Sequence, residues 1–482
     1  MLNIYFIFNM FLSVTNVFTI PLIRRDIILI SFYKGNILMK KTLLLAMLLG
    51  SIFFTACDYA DMFVDNRSSV IPIDTNIDFG IEKNILYFVD PRPEENGKNR
   101  ALRIDYNLMQ FTDLNASGVN PHSIDRAGKS DKFYLRTQNS YSFDVANFKE
   151  GTVRTIELAN LSRGVIAHKP RAIGAYNDKY KIQLLSGKDM PTVDVIDTET
   201  DTILATLGDQ NNNYTVGTNA GEDGTGHALW FDVDHFGLID RVSSLIRIYR
   251  AEIDANNIKT FTHIQDFDSV YPVHAIERVE NAKTKADTLT FYAMVDGNVN
   301  TGLAPSVLEL TFDQKQNKLL KGKELILTSS LNAIEGVKPT THHMGFTQDH
   351  KNLIVPVLDG KVYIIKRSDM SLVKIIDAKL GAAHVNVSTQ ENVIVITNHF
   401  SHELTFIDAT TLEIIKNLEI SHHQHDENDK HLLQPHFSYI SEDGRYYYTF
   451  ATQDGEFLEI DLRSLEINRR LTTGGAPEQS HS

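Results

Sequence analysis

Cysteine is almost missing from this chain: Cys57 is the only one in 482 residues. No disulfide can form within the chain, and no cluster of thiolates is available to hold a metal. Tryptophan is as scarce, and the single Trp230 is expected to pack in a core. The sequence has no Gly-Xaa-Ser-Xaa-Gly elbow, phosphate loop or dinucleotide fingerprint, so hydrolase, nucleotide-binding and Rossmann readings have no support. It also lacks Cys-Xaa-Xaa-Cys-His, which excludes covalently attached c-type haem. Basic residues are outnumbered, 47 against 61 acidic ones, for a net charge of −14. A surface of that sign repels nucleic acid and attracts cations, so no nucleic-acid partner is expected. Long helical patterns are missing too, which removes α/β folds from consideration.

The lone cysteine has an informative setting. Met39-Lys40-Lys41 opens a short basic stretch, Leu43 to Phe54 is apolar, and Phe54-Thr55-Ala56-Cys57 closes it. This is the layout of a secretory signal, and it resembles the bacterial lipobox, in which the cysteine is lipidated and becomes the new N-terminus. Phe54 departs from the leucine usual at the first place of that box. The expectation is a signal peptide over 39–56, lipidation at Cys57 and a linker over 57–75. The protein would then sit in the periplasm or cell envelope, held to a membrane by its lipid alone. Residues 1–38 precede a complete signal and are read as an upstream extension that is not made. They do not supply the ~20 uninterrupted apolar residues of a membrane helix, because Arg24-Arg25 divides them. Removing 1–56 takes away five basic residues and one acidic residue, so the net charge moves from −14 to −18.

From about residue 76 the chain consists of short alternating β-branched and aromatic runs separated by turn residues. The clearest unit begins at His384-Val-Asn-Val and continues through Asn392-Val-Ile-Val-Ile-Thr-Asn398, Glu403-Leu-Thr-Phe-Ile-Asp408 and Glu413-Ile-Ile-Lys-Asn-Leu. Four short runs joined by tight turns make one antiparallel meander. Units starting near 76, 122, 171, 227, 274, 343, 384 and 436 repeat it at intervals of 41 to 69 residues. Four strands at such a period predict an all-β fold, a single β-propeller over 76–474 followed by a disordered tail over 475–482. The count is eight blades, or seven if 76–121 does not make a blade of its own.

Val395-Ile-Thr-Asn398 followed by Leu404-Thr-Phe-Ile-Asp408 resembles the YVTN repeat, and Thr192-Val-Asp-Val-Ile-Asp197 matches its second half. The similarity covers most of 120–474 and suggests the YncE-like bacterial periplasmic propellers. The same architecture occurs in the d-type haem domain of dihaem nitrite reductases, in the propeller of nitrous oxide reductase and in periplasmic zinc metallochaperones. The motif implies the fold and leaves the function open.

Histidine begins six of the eight units: His122, His227, His274, His343, His384 and His436, with Arg171 in a seventh. In a closed radial repeat, equivalent positions of the innermost strands face one axis, so these imidazoles are expected to converge at one mouth of the channel. Imidazole suits zinc, copper, iron and nickel, and the expected ligand is zinc or copper. His343, His384 and His436 lead the candidates because they come from the three cleanest consecutive units. His342, next to His343, should face the other side of its strand by alternation. His422, His423, His425 and His431 lie in an acidic loop and form a second, weaker metal-collecting candidate. His235 and His350 are expected at exposed turns, and His399 and His402 at a turn without a role.

The reading is a metal-holding or metal-transfer propeller, with no catalytic residues assigned. Its partners would be the metal ion and an envelope metalloprotein or transporter. Two alternatives stay open. One is a propeller that handles non-covalent d-type haem or another redox cofactor, with Arg171 meeting haem carboxylates. The other is an envelope interaction scaffold with no metal.

Overall fold

The computed structural model describes residues 84–481 apart from connecting segments, the longer ones being 92–98, 159–167, 210–223, 280–287, 331–339 and 425–431. It also describes an antiparallel pair, Phe18–Pro21 with Ile27–Ile30. That pair belongs to a separate unit, Met1–Val64, and is described by itself. Cys57 and its signal-like surroundings, Asn76, His425 and His431 all lie outside the described residues.

Eight four-stranded antiparallel sheets follow one another along the chain, and together they form an eight-bladed β-propeller. The seventh blade shows why the sequence folds this way. Its second strand, Val393–Asn398, is buried at every residue, whereas its outermost strand, Ile414–Glu419, is largely solvated. A continuous apolar run therefore lies inside and a polar one at the rim. The repeat motif also has a local purpose. Asp408 ends the third strand, and its Oδ1 accepts hydrogen bonds from the backbone N–H of Thr410 (2.9 Å) and Thr411 (2.7 Å). Leu412 then takes a left-handed φ of 58°, which completes the turn into the fourth strand. Asp197, Asp313 and Asp461 accept from the following turn in the same way. Asn398 secures the other hairpin, its side-chain amide donating to the Glu403 carbonyl at 2.8 Å.

The apolar core is distributed between blades. One buried cluster joins the fourth blade (Ile246, Ile248) to the fifth (Phe291, Leu308). Another joins the seventh (Val395, Phe406) to the eighth (Tyr447, Leu458). A third joins the eighth (Phe450, Phe457) to the first (Leu86, Phe88), so the stacking returns to its start and the ring closes. No blade is left with a bare face, which is what makes a single meander stable only as part of the ring.

Closure uses the far end of the chain. Gln479–His481 pairs with Ile85–Asp90 and serves as the inner strand of the first blade. Gln479–His481, within the stretch 475–482 that the sequence alone assigns to a tail, is thus built into the ring. A tail of eight residues has too little pattern to be seen as a strand. A polar latch lies beside it. The buried Asp90 carboxylate accepts from Arg100 Nη2 at 2.7 Å and from the Ala476 backbone N–H at 2.9 Å. Arg100 also donates to the Gly474 carbonyl at 3.0 Å.

Candidate metal centre

Most inner strands share an irregularity that the repeat pattern conceals. Six of the eight, those of the second to seventh blades, carry a β-bulge near the start. The register shifts between Pro121 and Ser123, between Pro170 and Ala172, between Val273 and Ala275, and between Ala382 and His384. The fourth and sixth blades do the same: Thr225 bridges Asp240 while Leu229 pairs with Gly237, and Thr341 bridges Val357 while Gly345 pairs with Ile354. In each case four residues of the inner strand span three of its neighbour. A bulge sets two successive residues against one partner and re-aims their side chains.

This corrects the expected register. His122, Arg171, His274 and His342 occupy the bulged position, and His227, His343 and His384 the one after it. Histidines from two adjacent positions therefore reach the same place. His342 is the clearest consequence. Strict alternation sends it to the opposite side from His343, yet the two rings lie 4.9 Å apart, centroid to centroid.

Seven imidazoles form one nest: His227, His274, His342, His343, His384, His399 and His436. From His342 the centroids of His274, His384, His399 and His436 lie at 4.5, 4.9, 5.3 and 5.4 Å. His343 lies 4.7 Å from His384 and 5.2 Å from His227. His384 and His436 are 5.7 Å apart. Ring closure thus brings together five of the six histidines marked by the repeat. His122 is placed on Pro121–Arg126, but its side chain lies outside the described residues.

Backbone bonds between neighbouring blades hold the inner strands close. The N–H of His343 donates to the Ala383 carbonyl at 3.1 Å. Gly226 precedes His227 where a Cβ would stand 2.7 Å from the His274 carbonyl oxygen, so only glycine allows this approach.

Two members are held by oxygens outside the nest. His343 Nδ1 donates to Glu277 Oε1 at 2.9 Å, and His399 Nδ1 donates to the Gln434 carbonyl at 3.0 Å. With Nδ1 carrying the proton, Nε2 of each ring is the nitrogen with a lone pair to offer. Two other nitrogens, His274 Nε2 and His342 Nδ1, are buried with no hydrogen-bond partner among the described residues. Each such group costs about 1–3 kcal/mol unless something repays it. Burial drives the pKa of His274, His342 and His384 well below the usual imidazole value; Arg171 and Arg241 add to the effect at His274, and neighbouring imidazoles add to it at all three. These rings are therefore neutral at pH 7, the protonation state in which imidazole ligates a metal.

Within the nest, three sets offer ligand atoms lying within 4.8 Å of one another: His227/His274/His343, His342/His399/His436 and His342/His343/His384. Tetrahedral zinc bonded to nitrogen at 2.0–2.1 Å needs its ligands about 3.4 Å apart, which small ring rotations supply. An all-imidazole, buried and neutral donor set fits zinc, copper or another borderline transition metal and does not fit calcium or magnesium.

The remaining candidates stand elsewhere. His422 and His423 are exposed: the His422 N–H donates to Asp454 at 3.1 Å, His423 Nε2 lies 3.4 Å from the same carboxylate, and the His423 N–H donates to Ser421 Oγ at 3.1 Å. His235, expected at an exposed turn, is buried at the start of His235–Asp240, with Nδ1 donating to Asp232 Oδ1 at 2.8 Å. Trp230 packs on Phe236 and stacks with Tyr180, as expected of a core residue. His399 was passed over in the sequence because it lies in a hairpin connection and breaks the repeat. Its one available signal was its place directly after the repeat's Asn398.

No known protein family matches the chain, and no curated protein does either. Solved structures do. Dihydro-heme d1 dehydrogenase NirN in complex with DHE superposes with a TM-score of 0.55 at 10% identity, over 83% of this chain and 75% of that one. Apo AztD from Citrobacter koseri gives 0.49 at 11% identity, over 82% and 96%. A putative 6-phosphogluconolactonase from Bacteroides uniformis gives 0.46 at 9%, over 70% and 96%. At these identities the NirN likeness speaks for the fold alone, and the two weaker ones add nothing to it.

Proposed function

We propose that this protein is an envelope propeller that holds a transition metal, zinc or copper, in its histidine nest and passes it on. The observation that carries this reading is the convergence of seven imidazoles at centroid separations of 4.5 to 5.8 Å along the chain of neighbours. Burying that many ring nitrogens in one place is costly, and metal coordination repays it. The chain's residues supply imidazole donors, two of them oriented by Glu277 and Gln434, and an acidic exterior that raises the local concentration of cations. Lipidation at Cys57 would keep the protein at a membrane, close to a metalloprotein or transporter that receives the ion. His422, His423, His425 and His431 would act as an outer collecting segment.

Elemental analysis of the purified protein tests the proposal. Zinc or copper is expected in the native chain and absent from a variant with His343, His384 and His436 all changed to alanine. Equal metal content in the two would end it. Labelling with a radioactive fatty acid tests the anchor, with incorporation expected in the native chain and lost in Cys57→Ala.

A second reading has one observation in its favour. Arg171 is buried and acts electrostatically on His274, so it could meet a carboxylate of a tetrapyrrole ligated by one imidazole, whereas Arg241 is already paired with Asp296. The rings of the nest are too close for a macrocycle to enter between them, so it would lie over the nest. A Soret band in the haem-reconstituted protein, lost in Arg171→Gln, is the result that would favour this reading.

A further inference from the structure

The nest is not a uniform ring of donors. Of its three ligand sets, two share no residue, and the third, His342/His343/His384, lies across both. His227, His274 and His343 come from the fourth, fifth and sixth blades, and His342, His399 and His436 from the sixth, seventh and eighth. The ligand atoms in each set already lie within 4.8 Å of one another.

The two sets are equipped alike. Each contains one imidazole oriented from outside through Nδ1: His343 by Glu277 in one sector, His399 by the Gln434 carbonyl in the other. The first also contains a buried nitrogen, His274 Nε2, and the second another, His342 Nδ1, neither with a hydrogen-bond partner among the described residues. A single ion takes about four ligands, which would leave three of the seven imidazoles without use. The seventh ring, His384, lies 4.7 Å from His343 in one sector and 5.2 Å from His399 in the other, so it is within reach of both.

We infer that the nest takes two transition-metal ions side by side, one in each sector, with His384 between them as a fourth ligand available to either. This rests on the metal-holding reading above and extends it. A ligand shared in turn by two sites is the arrangement through which an ion moves from one sector to the other without leaving protein donors. The sixth blade is what makes the division work. Its bulge sends His342 to one ion and His343 to the other, so two consecutive residues serve different sites.

The test is the zinc-to-protein ratio of the full chain, stripped with chelator, dialysed against excess Zn2+ and freed of loosely held ions. A ratio of two is expected for the native protein. His227→Ala with His274→Ala should give one, and His399→Ala with His436→Ala should also give one. His384→Ala should keep two but lose them to a competing chelator about tenfold faster. Parallel pairs of His→Asn changes, checked by circular dichroism for the native β signal, guard against variants that fail to fold. X-ray absorption of the copper-loaded native protein should show a metal–metal vector absent from either double variant. A native ratio of one would overturn the two-ion division and leave the metal-holding reading intact. So would a folded double variant that binds nothing, or a His384→Ala protein that holds one ion. A native ratio of zero would overturn the metal-holding reading itself.

Discussion

The arc from the fourth to the eighth blade and the arc from the first to the third are built on one plan and differ in the side chains they gather beside the inner strands. The bulge recurs at Pro170/Ala172 in the third blade and at Val273/Ala275 in the fifth. One presents Arg171 and the other His274. Around the first, the fold gathers hydrogen-bonded carboxylates. Burial pushes the Asp125 carboxyl up to about 7, and Gln183 Nε2 donates to it at 3.1 Å. The buried His168 bonds Asp194 at 2.7 Å, and Thr206 Oγ1 donates to the other oxygen of that carboxylate at 2.6 Å. Around the second, the fold gathers imidazoles that face one another. The scaffold is therefore indifferent to the chemistry at this position. The same bulged inner strand serves in both arcs, and the side chains around it decide whether an arc of the ring is a polar brace or a donor set.

The comparison breaks most severely where the two arcs are joined. Asp90→Ala removes the acceptor at the ring closure, taking the buried ion-pair partner from Arg100 and the acceptor from the Ala476 N–H. Loss of one partner of a buried pair costs about 3–5 kcal/mol. Urea denaturation of the variant should show a fall of that size, and a change under about 1 kcal/mol would mean that apolar stacking alone closes the ring. Within the histidine arc, Glu277→Gln keeps an acceptor for His343 but removes its charge. Zinc affinity, measured against a chromophoric chelator, should weaken about 10- to 100-fold, the usual cost of losing such a partner. An unchanged affinity would remove His343 from the ligand set.

Acid should separate the arcs further. His274, His342 and His384 have folded pKa values below the ordinary 6.5, so the folded chain binds fewer protons than the unfolded one. Their contribution to stability is intact above about pH 6.5 and is lost progressively as pH falls from there towards the folded values. The metal-free protein should melt at steadily lower temperature between about pH 6.5 and 5, and changing all three to glutamine should flatten that slope. The smallest effect expected is from Arg171→Gln. It removes a positive charge acting on His274 across several ångströms, worth about 0.5 kcal/mol in a high-dielectric setting, and should tighten zinc binding about twofold.

Much of this architecture was legible in the sequence. Seven of the eight unit starts, from His122 to His436, fall in or next to an inner strand, because a period-two apolar pattern closed by Asp or Asn is a strong local signal. Five histidines marked by that repeat converge. Two features were not legible. Strict alternation sends His342 away from the nest, but the bulge in its strand suspends alternation, and no residue type announces the bulge. His399 reaches the nest through its fixed place beside Leu433 and Gln434, a long-range contact with no trace in local pattern. The closing strand was hidden for a related reason, since three residues are too few to display any periodicity.

The inner strand of the first blade has one further consequence, for the order in which the molecule becomes whole. A chain that emerges from its N-terminus carries Leu86 and Phe88 from an early stage, while the surface they must cover, Phe450 and Phe457, is made near the end. Gln479–His481 arrives later still. Until Phe450 and Phe457 are made, the circle stays an arc with a greasy seam at its opening, and a stop codon that removes Gln479–His481 should leave the first blade without its inner strand.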